Sequence, residues 1–265
     1  MKKILLLVII TTCIFTTILS DNVCKAKNID SSHTVLAELG ALSWCPHCPK
    51  ASQALHDLFS SEEYNFYYVT LVYDKSIMAQ KRGGWLRDAY APMLYIDGGY
   101  DVVDYNPMSV SSDYARAISN AGKREVHDIN LNVNATWMGN AKIDVRISIK
   151  NNEKKPYFGH LRVYVTEIVS RWDDEDGKPF NYAFLDYAFN TYVLVRGGKT
   201  FELSKIWDGT KKHGNQTFPD IEPDNIMIIA TISHWLPHIQ KNPWDNPSPY
   251  FIAQYVDEVS ATTPD

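Results

Sequence analysis

Two cysteines separated by two residues are the strongest chemical feature of this 265-residue chain. They lie in the motif Trp44-Cys45-Pro46-His47-Cys48. Such a pair can form half of a zinc site or a redox-active disulfide. A structural zinc site commonly needs a second close pair of donors, and the histidine pair at suitable spacing, His234 with His238, follows only about 190 residues later. The spacing favours redox chemistry over zinc, and an inert surface pair is the remaining alternative.

The surrounding pattern supplies a mechanism for the redox hypothesis. A strand-like run, Val35 to Leu42, precedes the motif and residues at helical spacing follow it, which predicts a strand-to-helix junction. The N–H groups at the helix start would stabilise a Cys45 thiolate, and Pro46 suits the first helical position. Cys48, one turn on, would resolve a mixed disulfide, and a cationic His47 would lower the pKa of the Cys45 thiol further. An oxidising couple is the expected result.

The motif at the end of a strand, with Ala91-Pro92 about 45 residues later at the start of another, resembles the thioredoxin superfamily. The resemblance covers residues 34–123, and its Cys-Pro-His-Cys motif is closer to the DsbA-like oxidases than to thioredoxins, which carry Gly-Pro. It implies that Pro92 is a cis-proline that faces the dithiol and positions the substrate chain. Trp44 is expected to shield the dithiol rather than to fill the core.

Glu38 lies seven residues before Cys45, near the position where the family keeps a buried acid that moves protons for the second cysteine. The spacing is one residue longer than the family pattern. If Gly40 marks a β-bulge, Glu38 would point inward, and burial would raise its pKa so that it takes the Cys48 proton through water. Without a bulge, Glu38 is expected to be an ordinary exposed strand residue.

Hydrophobic periodicity divides the chain into two parts. Strand-like and helix-like runs alternate over residues 34–124, whereas about seven runs of period two, such as Ile143 to Ile149, occupy residues 125–265. The predicted fold class is an α/β thioredoxin fold followed by an all-β sandwich of immunoglobulin or fibronectin type. This order resembles exported thioredoxin-like proteins with a C-terminal immunoglobulin-like domain. The junction has no Gly-, Ser- or Pro-rich linker, so the two parts are expected to pack together.

The first 26 residues match a secretory signal, with Met1-Lys2-Lys3 followed by the uncharged run Ile4 to Ser20. Residues 1–26 are therefore predicted to be a signal peptide or an uncleaved N-terminal anchor. Cleavage would remove Cys13 and leaves the fate of Cys24 open. The protein is expected to be exported and to act in the periplasm, at the cell surface or outside the cell. A net charge of −5 without a long basic block excludes nucleic acid as a partner.

These features predict an exported thiol–disulfide oxidoreductase that forms, exchanges or reduces disulfides in other proteins. No cofactor or metal is expected beyond the Cys45–Cys48 disulfide, and the expected partners are cysteine-containing proteins and a redox recycling partner. The alternative is a surface binding or adhesion protein whose β-sandwich is the functional domain and whose Cys45–Cys48 bridge is structural. A reduction potential separates the two, because structural bridges lie below about −300 mV.

Overall fold

The computed structural model describes residues 32–243 and 250–265. The predicted leader, Cys13 and Cys24 lie outside the described residues, as does the stretch 244–249. Within the described ranges, no helix combines the length and the apolar character needed to cross a bilayer.

The first part of the chain alternates strands with helices. Its elements are β1 (Val35–Ala41), α1 (Cys48–Ser60), β2 (Phe66–Val72), α2 (Ile77–Trp85), β3 (Met93–Ile96), β4 (Asp101–Asp104) and α3 (Val110–Gly122). The strands are short and mostly buried, which suits their content of β-branched and aromatic residues. Ser76 opens α2, because its side chain accepts a hydrogen bond from the Ala79 N–H.

The second part is built from strands. They are β5 (Ile129–Gly139), β6 (Lys142–Asn151), β7 (Tyr157–Asp173), β8 (Pro179–Val195), β9 (Thr200–Asp208), β10 (Ile226–His234), β11 (His238–Lys241), β12 (Tyr250–Ala253) and β13 (Val256–Thr262), with a 3-10 turn at Pro223–Asn225. The longest, β7 and β8, have 17 residues each and form an antiparallel hairpin. A tight turn closes this hairpin, in which the Asp174 N–H donates to the Lys178 carbonyl.

One mixed sheet of eight strands runs through both parts, in the order β13-β10-β7-β8-β2-β1-β3-β4. The join is between β2 and β8, which run parallel and pair at Thr70 and Ala183. Thr70 reinforces the join by donating its hydroxyl hydrogen to the Asn181 carbonyl at 2.7 Å. Two smaller sheets, β5-β6-β9 and β11-β12, complete the described strands.

The predicted fold class, an α/β thioredoxin fold followed by an immunoglobulin-like sandwich, is therefore wrong. The protein is mostly β, with three α-helices among the described residues, and its largest sheet belongs to both parts. Hydrophobic periodicity shows which residues form strands, but it does not show which strands pair. It therefore did not predict that β2 pairs with β8. The predicted division at residues 124 and 125 falls between α3 and β5 and stays a prediction.

Strand β1 separates two packed layers. Val35, Ala37 and Leu39 pack on the side of α1 and α3, whereas Leu36 packs on the opposite side with Tyr95 and Tyr164. Successive side chains of a strand point to opposite faces, so both layers follow from one sequence run. In the second part, a separate core lies between the β5-β6-β9 sheet and strands β7 and β10.

Candidate functional site

Cys45 and Cys48 form a disulfide, with their Cα atoms 5.4 Å apart. Cys45 is 4% exposed and Cys48 is fully buried. Both cysteines are thus buried, and Cys45 is the more exposed of the two. This asymmetry is the one that a nucleophilic and a resolving cysteine require.

The helix begins at Cys48, three residues later than the redox hypothesis assumed. Residue His47 precedes the first helical residue, and the Cys48 N–H donates to the Cys45 carbonyl at 3.2 Å. The prediction that Pro46 fills the first helical position is wrong, because Pro46 lies in the turn and Pro49 occupies the first helical turn. The positive end of the helix dipole is consequently closest to Cys48 and weaker at Cys45.

The peptide between Ala91 and Pro92 lies beside the disulfide, and the expectation that Pro92 itself faces the dithiol stays a prediction. The Ala91–Pro92 peptide bond is cis, and the Ala91 carbonyl oxygen is 3.5 Å from the Cys45 sulfur. Pro92 itself is buried, and β3 starts at the next residue, Met93. The disulfide and the chain before β3 therefore form one surface.

The rim of this surface is exposed and aromatic. Trp44 is 63% exposed and lies outside the core, and Tyr90, next to Ala91, is 57% exposed. That Trp44 shields the dithiol stays a prediction. His47 stacks on Tyr105, with the ring centroids 5.3 Å apart. Large exposed aromatic rings are common on surfaces that contact another chain.

The inner side of the disulfide is covered by the second part of the chain, which sequence reasoning missed. Phe180 and Ala183 of β8 are fully buried and pack with both cysteines, together with Val72 of β2. Trp172, near the end of β7, packs on the same cluster. Nothing in the spacing of Trp172, Phe180 and Ala183 marks them as neighbours of a motif more than 120 residues earlier in the chain. The β7–β8 hairpin thus packs against the disulfide.

Glu38 is buried, and the hydrogen-bond partners of its carboxylate are Arg82 and Tyr164. Arg82 of α2 donates to both of its carboxylate oxygens, at 2.8 and 2.6 Å, and the Tyr164 hydroxyl donates at 2.9 Å. The pairing of β1 with β2 runs unbroken through Gly40, so no bulge turns Glu38 toward α1. Glu38 therefore faces the side of Tyr164, and both alternatives proposed for it, a proton carrier and an exposed residue, are wrong.

The charge of Glu38 is stabilised where it lies. Burial raises the pKa of a carboxyl group, but the positive charge and hydrogen bonds of Arg82, helped by Arg162 and Tyr164, outweigh it and hold the pKa of Glu38 below its usual value. The predicted rise of the Glu38 pKa is therefore wrong. The direction of this shift favours the ionised form of Glu38 beside Arg82.

Position 40 in β1 has room only for glycine. A Cβ atom at this position would collide with the Asp88 carboxylate and the Tyr73 hydroxyl. These two groups share a hydrogen bond, in which the Tyr73 hydroxyl donates to Asp88 at 2.5 Å. Burial raises the pKa of Asp88 to about 7 despite this bond. The titratable group of this face with a pKa near neutrality is therefore Asp88, not Glu38.

Comparison with known proteins adds information about the fold. No family model matches the chain. No curated protein matches it either. Among solved structures, HBP35 of Porphyromonas gingivalis is similar with a TM-score of 0.62 at 11% identity, over 88% of this chain and 76% of that one. At this identity the likeness concerns the arrangement of strands and helices, and it shows that the observed architecture occurs in another protein.

Two further likenesses are weaker. A structural-genomics protein from Agrobacterium tumefaciens has a TM-score of 0.48 and 15% identity, over 89% of this chain and 96% of that one. A GH3 β-glucosidase from Bifidobacterium adolescentis has a TM-score of 0.30 and 12% identity, over 52% of this chain and 17% of that one. Neither likeness bears on the activity of this protein.

Proposed function

We propose that the protein is an exported thiol–disulfide oxidoreductase that exchanges disulfides with cysteine-containing proteins. The observation that supports this proposal most is the Cys45–Cys48 disulfide beside the cis Ala91–Pro92 peptide, with the sulfur of the more exposed cysteine, Cys45, 3.5 Å from the Ala91 carbonyl oxygen. The proposal depends on this local arrangement and on the Cys-Pro-His-Cys motif, which resembles those of thioredoxin-superfamily oxidases.

The exchange has two steps. A substrate thiolate attacks the Cys45 sulfur, a mixed disulfide forms, and Cys48 leaves as a thiolate. A second substrate thiolate then attacks the substrate sulfur of the mixed disulfide, and Cys45 leaves as a thiolate. Two electrons have passed to the protein, one substrate disulfide has formed, and two protons have been released from the substrate thiols. The same steps in reverse reduce a substrate disulfide, and the recycling partner sets the direction.

The surroundings of the disulfide suit each step. Trp44 and Tyr90 offer exposed apolar surface on which an incoming chain can pack, and the cis Ala91–Pro92 segment offers backbone groups beside the sulfur. His47, in the turn between the cysteines, can stabilise a departing thiolate when it carries a positive charge. Cys48 is screened from solvent, so the mixed disulfide forms on Cys45.

The place of action forms part of the proposal. Residues 1–26 have the sequence of a secretory leader or anchor, and disulfide exchange on protein substrates belongs to oxidising compartments. We infer that the protein works outside the cytoplasm, with a partner that restores the oxidised or reduced state of the dithiol after each turnover.

The proposal is tested by trapping the mixed disulfide. The full chain carrying Cys13→Ser and Cys24→Ser is the background, and Cys48→Ser is added and compared with Cys45→Ser. A model peptide carrying one activated disulfide, a mixed disulfide with a chromophoric thiol, serves as the substrate. The Cys48→Ser variant should form a covalent adduct with the peptide in non-reducing electrophoresis, and Cys45→Ser should form none.

Failure to trap an adduct under conditions where dithiothreitol opens the parent disulfide would contradict the proposal. The bridge would then be structural, and the function would belong to the strand-rich second part, as in a surface binding protein.

A further inference from the structure

A second group of reactive side chains lies where the segment between α3 and β5 meets the ends of β10 and β13. Within the described residues, His127, His234 and Asp257 each place one potential ligand atom within 4.8 Å of the others. Two imidazole nitrogens with a carboxylate oxygen are the donors that zinc and similar transition-metal ions prefer. The group is distinct from the disulfide site and shares no residue with it.

Both histidines have one ring nitrogen held by a neighbouring side chain. His127 Nδ1 lies 2.9 Å from the Glu153 carboxylate, and His234 Nε2 lies 3.1 Å from His238 Nε2. The ion would take Nε2 of His127 and Nδ1 of His234, and at Nδ1 it would replace the hydrogen bond to the Asp257 carboxylate. Metal-bound histidines are oriented in this way, with the second nitrogen bonded to a fixed partner.

Asp257 is held in the same manner. It is 1% exposed, and the Tyr157 hydroxyl donates to its Oδ2 at 2.8 Å. His234 Nδ1 lies 3.1 Å from both carboxylate oxygens. The nearest guanidinium, that of Arg124, is 3.8 Å from Asp257 and places its other nitrogen 3.2 Å from Asp97. The Oδ1 atom of Asp257 is contacted by His234 and lies near Arg124, and a cation bound there would take the place of the His234 contact.

We propose that His127, His234 and Asp257 bind a divalent transition-metal ion of the zinc class. Three protein ligands leave at least one position of a four-coordinate ion open to water or to an external ligand, as in metal sites that do chemistry. The donors come from three chain segments, so the ion also ties the segment before β5 to β10 and β13. Calcium and magnesium are disfavoured, because they prefer sets made of oxygen alone.

His238 has an orienting role in this site. Its ring lies 3.8 Å from the ring of Tyr255 in a parallel stack, which fixes its direction toward His234. The sequence drew attention to the His234–His238 pair, whereas the geometry pairs His234 with residues 107 positions earlier and 23 positions later as fellow ligands. No sequence motif contains this set.

The test uses the untagged full chain with Cys13→Ser and Cys24→Ser, and with Cys45–Cys48 oxidised so that no thiolate competes for metal. Zn²⁺ binding is measured by calorimetry, and Co²⁺ binding by its visible absorption. About one equivalent should bind, and the cobalt spectrum should show nitrogen and oxygen ligands without a sulfur charge-transfer band. Zn²⁺ should raise Tm, since it binds the folded state.

The matched variants are His127→Gln, His234→Gln and, as the control, His56→Gln, which lies on α1. His127 is exposed, so His127→Gln is expected to fold normally, which circular dichroism verifies. The two ligand variants should bind Zn²⁺ at least about tenfold more weakly, and the control should bind like the parent. Absence of saturable Zn²⁺ and Co²⁺ binding, equal affinity of His127→Gln and the parent, or full competition by Ca²⁺ would each overturn the proposal.

Discussion

The two faces of strand β1 differ in chemistry although they alternate residue by residue. On one face, Ala37, Leu39 and Ala41 lead along an apolar layer to the disulfide. On the other, Glu38 forms a buried ion pair with Arg82, and Gly40 makes room for the Tyr73–Asp88 hydrogen bond. A buried carboxylate close in sequence to the cysteine motif can exchange protons with it only if the side chain lies on the face of the strand that leads to the motif.

The largest effect is expected from Glu38→Gln, which leaves the buried guanidinium of Arg82 without its counter-charge. Loss of one partner of a buried ion pair costs about 3–5 kcal/mol of unfolding free energy. Urea unfolding measures the loss, with the exposed Glu63→Gln as the control. The disulfide potential of the folded variant should stay within about 15 mV of the parent, because Glu38 faces away from it. A potential shifted by much more, or a changed pH profile of thiol exchange, would reinstate Glu38 as a proton carrier.

The second prediction concerns pH and Asp88, whose pKa is raised to about 7 by burial. The folded protein holds a proton that the unfolded chain releases above its ordinary carboxyl pKa. The stabilisation is therefore complete below pH 4 and is lost as pH rises toward 7, by about 2–4 kcal/mol for this group. Urea unfolding across this range should show the fall for the parent and a flatter curve for Asp88→Asn. Parallel curves for the two proteins would contradict the assignment.

The third prediction returns to the disulfide face. His47→Ala removes the imidazole that lies between the cysteines and stacks on Tyr105. A positive group beside a thiolate stabilises the reduced form, so its loss should make the couple more reducing by about 20–30 mV, or about 1 kcal/mol. Equilibration with glutathione measures the shift, and His56→Ala is the control. A shift in the oxidising direction would show that His47 does not stabilise the thiolate.

The smallest effect is expected from removing a side chain of the second part that packs on the disulfide cluster. Trp172→Ala should speed reduction of the bridge by dithiothreitol about threefold, since access to the sulfurs limits exchange. Trp85→Ala, which removes a 62% exposed ring elsewhere, should leave the rate unchanged. If both variants react like the parent, the β7–β8 hairpin does not restrict access.

Much of the local structure could be predicted from the sequence. The Cys-Pro-His-Cys spacing predicted the disulfide, Ala91-Pro92 was assigned from the resemblance to a cis-proline beside it, and period-two runs located many of the strands. These features depend on residues near one another in the chain, or on a motif with a fixed geometry.

The features that the sequence did not predict depend on contacts between residues far apart in the chain. The pairing of β2 with β8 joins residues more than 110 positions apart, and no propensity within either strand encodes it. The prediction for Glu38 depends on a bulge that β1 does not contain, and simple alternation along β1 places Glu38 on the face opposite to Leu39. The cover by Phe180 and the cluster of His127 with His234 also depend on tertiary contacts alone.

The reduction potential of the Cys45–Cys48 disulfide tests the central claim most directly. It is measured by equilibrating the full chain, with Cys13→Ser and Cys24→Ser, in glutathione buffers and quantifying the free thiols, with Cys45→Ser as the blank. A catalytic exchange site predicts a value near or above that of protein disulfide isomerase, roughly −180 mV. A value below about −300 mV, typical of structural bridges, would contradict the claim and assign the function to the second part of the chain.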